Sequence, residues 1–581
     1  MFSKHYQSEL QFLRGMGKEF AATYPSMAGL LAERGGDPDV ERLLEGFAFL
    51  AARVHERLDD AVPELVHQLA EILAPQLVRS IPAATVIEFL PVAGGLRTRL
   101  TVPAGAELAS VPVDGVSCRF RTSAPVELVP VALQDAVLDQ AIGAAPCLRL
   151  TLQCAAPALP SVFQDEGIRF FIQGDLPLAS TVLLWMARHL VEVRVKALTS
   201  GRELSLGPGA VQLPGFGPEL PLLPWPPLAP AAYRSLLEYF TLPQKFLFFD
   251  VRGLGAARPQ AEERFELAFQ FSRPPELPGR IGRDVFRVNC APVVNLFAAS
   301  GDPIRVEAPG EEHLVRAAGM DPRHVEVFSI DAVTGAPDPA GRRRDYPSFA
   351  SFAHGRSGSP ACYHRLRLQR SSIDDGIDAY LSVLTPRDGG PGPAEEVLST
   401  ELTCTNRSLA GRLRLGEVTV STQTSPTVAR FRNVLPVTYP ARPPLGGDLQ
   451  WRLLSHLAAS RASLGRAGTL RRALELYNFP ALADQSAGRA NQLRIDGIRA
   501  VEAAQAHRLV RGALVAGVRM QVLLDEGHFA GPGDAFVFGG VLDAFLGAHA
   551  PMNTFVELAL RLEPSLREYT WTPRSGTRPL L

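Results

Sequence analysis

The amino-acid sequence predicts a multidomain α+β protein with an N-terminal helical segment, a β-rich middle that is sandwich- or barrel-like, and a C-terminal α+β unit. Apolar residues recur at helical spacing through the first 80 residues, and short β-type runs separated by Pro and Gly follow. Helical and strand-like segments then mix after about residue 445. A chain of 581 residues is too long for one hydrophobic core. We expect four domains, at residues 1–80, 81–250, 251–440 and 441–581.

Three amphipathic helices are predicted near the N-terminus, the last a shorter one that begins after Pro63 and ends before Pro75. The first carries an apolar stripe over residues 6–24, and the second begins with Asp37 as a capping residue and Pro38 at its first helical position. The stripe of the second helix includes Leu43 and Phe47, which are one turn apart, and we expect both side chains to be buried. Core packing is the favoured explanation of such stripes, and an obligate interface with another protein is the alternative.

The middle of the chain reads as antiparallel β-structure, because short β-type runs alternate with turn residues and share no fixed period. Helical inserts are predicted at 178–190 and 231–240, and the Pro-rich segment 213–230 is expected to run extended over a surface. The β-type runs are 84–91, 97–108, 147–154, 168–173, 245–251, 264–273, 324–330 and 363–369.

The last region is predicted to be a compact α+β unit. One helix of this unit, 534–550, carries the aromatic residues Phe536, Phe538 and Phe545. The other predicted elements are helices at 446–460 and 467–479 and strands at 492–501, 512–526 and 553–562.

Composition excludes several classes of protein. No uncharged run reaches the roughly 20 residues of a membrane-spanning helix, and the N-terminus lacks an apolar signal core, so we expect a cytoplasmic chain without membrane insertion. The six cysteines form no C-x-x-C pair, which favours reduced, buried thiols. The net charge of −1 and the absence of a long basic tract argue against nucleic-acid binding.

One motif has the spacing of a metal site. Glu64-x-x-His67 matches the helical pattern of carboxylate-bridged di-metal proteins, but such a site needs a second E-x-x-H helix, and the sequence has none. Glu64, His67 and Glu71 also lie opposite the predicted apolar stripe, where solvated charges are expected. We therefore predict no metal and no cofactor: elemental analysis should find no stoichiometric iron, manganese or zinc. One metal per chain, lost on His67→Ala, would contradict this prediction.

Catalytic motifs are missing or incomplete. Gly253-x-Gly255 follows the strand-like run 245–251 as in a dinucleotide-binding loop, but Arg258 stands in place of the third glycine and Pro259 disfavours the helix that would bind a pyrophosphate. The sequence has no Walker loop and no G-x-S-x-G elbow. No catalytic residue is therefore predicted. Because the paired carboxylates of glycosidases come from different strands, a cytoplasmic β-rich carbohydrate-active enzyme is kept as the alternative.

Several blocks of the sequence resemble the TssF family, baseplate subunits of bacterial type VI secretion systems. They follow the family's order from one end of the chain to the other, so the resemblance covers the whole chain. The blocks are "YQSELQFLRGMGKEFAATYPSMAGLL" (6–31), the segment 37–89, "EYFTLPQKFLFFDV" (238–251), the segment 431–464 and "DAFVFGGVLDAFLGAHAPMNTFVELAL" (534–560).

The resemblance implies a structural, non-enzymatic wedge component similar to those of contractile phage tails. It implies that two copies of the chain bind one TssG subunit, and that TssK and TssE join them beneath the tube and sheath. The baseplate would lie in the cytoplasm, docked at the inner-membrane complex. We expect the C-terminal unit, with Phe536, Phe538 and Phe545, to contact a partner.

Overall fold

The computed structural model of the protein forms two compact units: Met1–Val78 with Pro444–Ser455, and Arg79–Pro443 with His456–Leu581. The division into four domains stays a prediction. The predicted fold class, a β-rich, multidomain α+β protein, is confirmed. The structure describes residues 6–7, 9–14, 16, 39, 42–52, 78–92, 94–140, 145–226, 229–308, 310–337, 342–349, 362–371, 376–384, 396–442, 452, 464–510 and 512–576.

In the first unit the described residues are almost all helical. Residues 9–14 and 42–52 are two stretches of helix, as the periodicity of the sequence predicts. The predicted cluster of Glu64, His67 and Glu71 lies outside the described residues.

The second unit begins with strands from the first half of the predicted β-rich region. Helices α1 (Leu159–Val162), α2 (Leu176–Arg188) and α3 (Ala231–Thr241) interrupt them. The strands are β1 (Ala84–Pro91), β2 (Leu100–Val102), β3 (Glu107–Val113), β4 (Val116–Thr122), β5 (Val126–Leu128), β6 (Ala132–Asp139), β7 (Cys147–Gln153), β8 (Ile168–Ile172), β9 (Leu190–Ala197), β10 (Glu203–Ser205), β11 (Val211–Gln212), β12 (Phe248–Val251) and β13 (Arg264–Phe271).

The strands continue through the second half of the β-rich region. They are β14 (Phe286–Val288), β15 (Cys290–Val294), β16 (Phe297–Ser300), β17 (Ile304–Val306), β18 (Glu312–Val315), β19 (Glu326–Gly335), β20 (Tyr363–Arg370), β21 (Ile377–Leu384), β22 (Glu396–Thr405), β23 (Val420–Ser421) and β24 (Ala429–Asn433). Short 3-10 helices of the second unit lie at Ala156–Ala158, Pro208–Ala210, Pro214–Phe216, Pro243–Phe246, Leu254–Gln260, Arg283–Val285, Arg407–Arg412, Phe479–Leu482 and Glu526–His528.

The C-terminal elements form an α+β arrangement. Helices α4 (Ala467–Glu475) and α5 (Gln485–Asp496) precede the long hairpin of β25 (Ile498–Val510) and β26 (Ala513–Asp525). Helix α6 (Pro532–Ala548) connects β26 to the parallel strand β27 (Phe555–Glu563). The short strands β28 (Glu568–Thr570) and β29 (Arg574–Ser575) pair with β27.

The sheets join segments that are distant in the sequence. The six-stranded sheet has the order β23-β3-β4-β15-β1-β24, so strands from both predicted β-rich domains share it. The other sheets of the β-rich region are β10-β9-β13-β7-β6, β11-β12-β8-β14, β16-β22-β17 with β19 also on β22, β18-β21-β20, and the pair β2-β5.

Alternation of side chains explains why these segments are strands. In β13, Phe265, Leu267, Phe269 and Phe271 are buried, while the intervening Glu266, Ala268 and Gln270 are only partly buried. The six-stranded sheet covers one apolar core, which contains Ile87, Phe120 and Val293, and the sheet around β22 covers another, which contains Leu381 and Leu402.

Three predictions of local structure are wrong. The run 97–108 forms two strands, since β2 ends at Val102 and β3 begins at Glu107. The segment 492–501 is not one strand, because α5 continues to Asp496; the Asp484 side chain accepts hydrogen bonds from the N–H groups of Ser486 and Ala487 and so caps this helix.

The third wrong prediction is that the Pro-rich segment 213–230 runs extended over a surface. Leu220, Leu222 and Leu223 are buried in it, so the segment does not lie wholly on the surface. The predicted helix 446–460 falls almost entirely outside the described residues.

The cysteines behave as the sequence predicts. All six are free, and five of them are buried. Burial raises the pKa of the Cys118 and Cys154 thiols to about 11, so both stay protonated and unreactive at neutral pH.

Candidate partner-binding surfaces

Described side chains form no metal site: no group of three His, Cys, Asp or Glu residues in this part of the chain is arranged to hold a metal ion. Nor does any described helix combine the length and the apolar character needed to cross a membrane. The question is therefore which buried polar groups serve the fold and which surfaces are left for partners.

The glycine pair of the incomplete dinucleotide motif makes a tight turn. Gly253 has a φ of 77° at the start of a 3-10 helix, a conformation that favours glycine. A Cβ on Gly255 would come within 2.4 Å of Oδ1 of Asp165. A carboxylate so close to the loop would repel a phosphate, which argues that these glycines serve the turn and not a nucleotide.

Acidic residues line two of three clefts in the described part of the chain: Glu326 and Asp378 line one of about 110 Å³, and Glu326 also lines one of about 220 Å³. The cleft of about 430 Å³ is lined by Arg99, Thr101 and Gln164 among others, and no carboxylate lines it. Burial raises the pKa of the Asp543 carboxyl, opposed by the charge of Arg574, but Asp543 lines none of the described clefts. The carboxyl group with the raised pKa therefore lies outside these three clefts, unlike the acid of an acid/base pair in a deep pocket.

A fully buried ion pair lies at the centre of the second unit. Glu238 on α3 and Lys245, in the 3-10 helix that follows, are both completely inaccessible, and Nζ of Lys245 lies 2.7 Å from Oε2 of Glu238. Nζ also donates to the carbonyl oxygen of Gly215 at 2.7 Å. Burial lowers the pKa of Lys245, and the attraction of Glu238 opposes this shift.

The same carboxylate holds the Pro-rich segment in place. Oε1 of Glu238 accepts hydrogen bonds from the backbone N–H groups of Leu222 and Leu223, at 2.7 and 3.0 Å. This explains why the segment is buried there, since its N–H groups find a partner inside the protein. The isolated Lys245 within the apolar run "KFLFFDV" is the sequence signal that could have indicated this cluster, because a lone charge in such a run needs a buried partner.

A second buried network joins three helices. Asp534 on α6 accepts hydrogen bonds from the Tyr239 hydroxyl of α3 at 3.2 Å and from Nε of Arg494 on α5 at 3.0 Å. The guanidinium of Arg494 also lies over the Tyr239 ring, 5.6 Å from its centroid. These contacts fix the mutual arrangement of the helices, so the polar groups are structural and not catalytic.

The three phenylalanines expected to contact a partner are buried within the chain. Phe536 stacks on Trp571, with ring centroids 5.7 Å apart, and Phe538 lies between Tyr239 and Phe529. Phe545 packs edge-on against Tyr477. The rings of Phe536, Phe538 and Phe545 therefore pack α6 into the core. A direct partner contact through them stays a prediction. Helix α6 is apolar on nearly all sides because it is covered on nearly all sides.

In the helix at residues 42–52, apolar side chains that were expected to be buried are exposed. Leu43 and Phe47, expected to be buried, have exposed fractions of 73% and 65%, and Leu50 one turn further is exposed as well. Ala48 and Ala52 are the fully buried residues of this helix. Since Leu43, Phe47 and Leu50 are spaced i, i+4 and i+7, they form one continuous apolar stripe. We call these three residues the N-terminal stripe; an exposed apolar stripe of this kind marks an interaction surface.

Comparison with known proteins finds similarity along the whole chain. A family model described as "Type VI secretion system, TssF" matches residues 1–578. The protein "Type VI secretion system component TssF1" of Pseudomonas aeruginosa, strain PAO1, is 28% identical over 622 aligned residues, which cover 100% of this chain and 99% of that protein.

Two solved structures are similar to the chain over their full length. A chain of the type VI secretion system TssK-TssF-TssG baseplate subcomplex, determined by cryo-electron microscopy, is 29% identical with a TM-score of 0.78, covering 93% of this chain and 99% of that one. A chain of the type VI secretion system baseplate complex is 25% identical with a TM-score of 0.62, covering 100% of both.

Proposed function

Because the family model matches residues 1–578, the chain belongs to the TssF family of type VI secretion system baseplate components, and we propose from this premise its partners and the surface by which it binds one of them. The family is a structural part of the baseplate and not an enzyme. The carbohydrate-active alternative is therefore not supported.

The proposed partners are a TssG-like and a TssK-like subunit. The observation that carries this proposal is the full-length likeness to a chain of the TssK-TssF-TssG baseplate subcomplex. The proposal extends to two copies of this chain for each TssG-like subunit, a TssE-like subunit, and contact with tube and sheath components. It also places the assembly in the cytoplasm, docked at the inner-membrane complex; these extensions are supported by the family resemblance.

The N-terminal stripe is the proposed contact for the TssG-like subunit. Leu43, Phe47 and Leu50 expose apolar surface that a partner would remove from water. Burying apolar surface stabilises a complex by about 25 cal/mol per Å². Obligate interfaces are built from such residues, and their burial requires a second chain.

Phe47→Ala is expected to reduce the yield of the complex without destabilising the chain itself. Because the Phe47 side chain is exposed, its truncation should change the free energy of unfolding by no more than about 0.5 kcal/mol. As an interface aromatic, its loss should weaken binding by about 2 kcal/mol or more. Co-expression of the chain with its TssG-like neighbour, followed by native mass spectrometry, measures the complex; the wild-type pair should give a discrete species of 2:1 mass.

Glu45→Ala is the matched control, since Glu45 is exposed on the same helix outside the stripe. It should leave the complex unchanged. Equal complex yields for Phe47→Ala and Glu45→Ala would contradict the proposed surface. A wild-type chain that remains a monomer beside the TssG-like subunit would contradict the proposed partners.

A further inference from the structure

The hairpin of β25 and β26 extends beyond the sheet to which it belongs. The two strands pair from Ile498 opposite Leu524 to Val510 opposite Ala513, whereas β27 pairs with β26 only from Gly517 to Asp525. At about 3.3 Å per residue, each 13-residue strand is about 43 Å long. In the part of the chain that the structure describes, the distal end of the hairpin therefore has only two strands, and a two-stranded ribbon without support is marginally stable in water.

One face of this two-stranded ribbon is continuous with the core-facing side of the sheet. At the distal end of the ribbon, side chains on that face are exposed. Met520 and Val522 are buried on the core side of β26. Leu514 lies on the same face, because side chains alternate along a strand, and it stands opposite Leu509 of β25. Leu509 and Leu514 have exposed fractions of 74% and 71%. Two facing leucines on an open ribbon are an apolar surface that fits a protein partner.

Strand β25 also has an open edge. It is the outermost strand of its sheet, and no described strand pairs with its outer side. It contains no lysine and no proline, the residues with which natural edge strands block further pairing. Val510 pairs with Ala513, and only two residues separate them in the sequence, so we take this closing pair of the hairpin to be hydrogen-bonded through its N–H and C=O groups. By alternation, the odd-numbered residues from Val501 to Leu509 direct these groups outward.

The charges along this edge are self-complementary. On the face away from the core, Arg508 lies 3.1 Å and Arg519 lies 3.4 Å from Glu557. Two guanidinium groups thus share one carboxylate, which leaves an excess positive charge beside the edge. Glu502 is exposed on the same face of β25, six residues before Arg508.

We propose that β25 pairs antiparallel with β25 of a second copy of this chain, about a two-fold axis at Gln505. This register places Glu502 of each copy opposite Arg508 of the other, and Val501 opposite Leu509 on the core side. It satisfies the outward N–H and C=O groups of both strands, as in other cases of β-strand addition. The inference deepens the proposed assembly of two copies and rests on it for the setting in which the contact is used.

A second copy fits this edge better than an unrelated strand. In an isologous contact each interaction occurs twice, so one favourable register gives two ion pairs and two apolar pairs. Glu502 and Arg508 meet at positions that are not hydrogen-bonded across the new pair, where opposing side chains are closest. Small residues, Ala504 and Ala506, occupy the two positions between these pairs and allow the strands to approach.

The test uses charge exchange in the full-length chain, co-expressed with its TssG-like neighbour. Glu502→Arg creates two repulsive contacts by symmetry and should weaken association of the two copies at least roughly tenfold. The double variant with Glu502→Arg and Arg508→Glu restores opposite charges and should recover the association. Recovery excludes misfolding as the cause of the first effect.

Disulfide trapping provides a second test that does not depend on charge. In the proposed register Ala504 faces Ala506 of the other copy at a pair with Cα atoms about 4.5 Å apart, within disulfide range. The variant with both Ala504→Cys and Ala506→Cys should form a covalent dimer under mild oxidation, and Ala504→Cys alone should not.

The outcomes separate this inference from the proposed partners. Absence of the cross-link, or failure of the charge exchange to restore association, would overturn the β25 contact even where the TssG-like subunit still co-purifies. Loss of the TssG-like subunit from the wild-type preparation would instead overturn the proposed partners, while the cross-link would still decide the β25 contact.

Discussion

Replacing Glu238 by alanine is expected to lower the free energy of unfolding by about 3–5 kcal/mol, because it removes one member of a fully buried ion pair. Lys245 would be left without its counter-ion in the interior, and the N–H groups of Leu222 and Leu223 would lose their acceptor. Hydrogen exchange of α3 amides within the assembled complex measures the effect. Protection there should fall by roughly two to almost four powers of ten.

The control for Glu238→Ala is Glu307→Ala. Glu307 also forms an ion pair, with Arg305 at 3.6 Å, but both side chains are mostly exposed. Exposed pairs contribute up to about 1 kcal/mol, so protection should hardly change. In addition, the double variant with Glu238→Gln and Lys245→Met should lose less stability than the sum of the two single changes, since removing both charges leaves neither of them buried without its partner. Equal effects of Glu238→Ala and Glu307→Ala would show that the pair is not a structural centre.

Local sequence patterns predicted the bounds of some strands and helices closely. The strand at 84–91 has the predicted bounds, and the helix α3 differs from its prediction by one residue. Helix α3 has apolar residues at helical spacing, whereas β1 is a short run that is buried at six consecutive positions. Pairing between strands was not predictable, since β1 pairs with β15 and β24, which lie about 200 and 340 residues later, and no local pattern encodes those partners.

The prediction of which side chains are buried was wrong at the N-terminal stripe. There the sequence pattern shows which face of the helix is apolar but not what covers that face. The stripe with Leu43 and Phe47 has the same spacing as a core stripe, yet those side chains are exposed. Helix 534–550 is also expected to contact a partner, which stays a prediction; within the chain, helices α2 and α3 and strand β27 pack against it. An amphipathic pattern requires a covering surface, which another part of the chain or another protein can provide.

This difference changes what mutations in the two regions should do. Aromatic side chains on α6 hold the fold, since Phe538 contacts both Tyr239 of α3 and Phe529. The aromatic side chain of the N-terminal stripe, Phe47, is exposed and can serve assembly. A change in the first region should act on stability at every partner concentration, whereas one in the second should act on complex formation alone.

Phe538→Ala is expected to lower the free energy of unfolding by about 3–5 kcal/mol, because the lost ring leaves a cavity in a close-packed core. The buried network of Tyr239, Asp534 and Arg494 is adjacent, so the surrounding helices cannot easily close around the space. Hydrogen exchange of β26 and β27, which α6 connects, should show the loss of protection. Met552→Ala, a change at a half-exposed position just after α6, should stay within about 0.5 kcal/mol.

The same variant decides between a core and a docking role for α6. If Phe538 holds the core, Phe538→Ala should raise hydrogen exchange in β26 and β27 with or without the TssG-like subunit, because the cavity exists in both states. If the ring contacted a partner directly, exchange in the isolated chain would match wild type and only the complex would change. The complete burial of Phe538 against residues of its own chain predicts the first result. A normal exchange pattern in the isolated chain with a weakened complex would contradict the core role and indicate that the Phe538 ring contacts a partner.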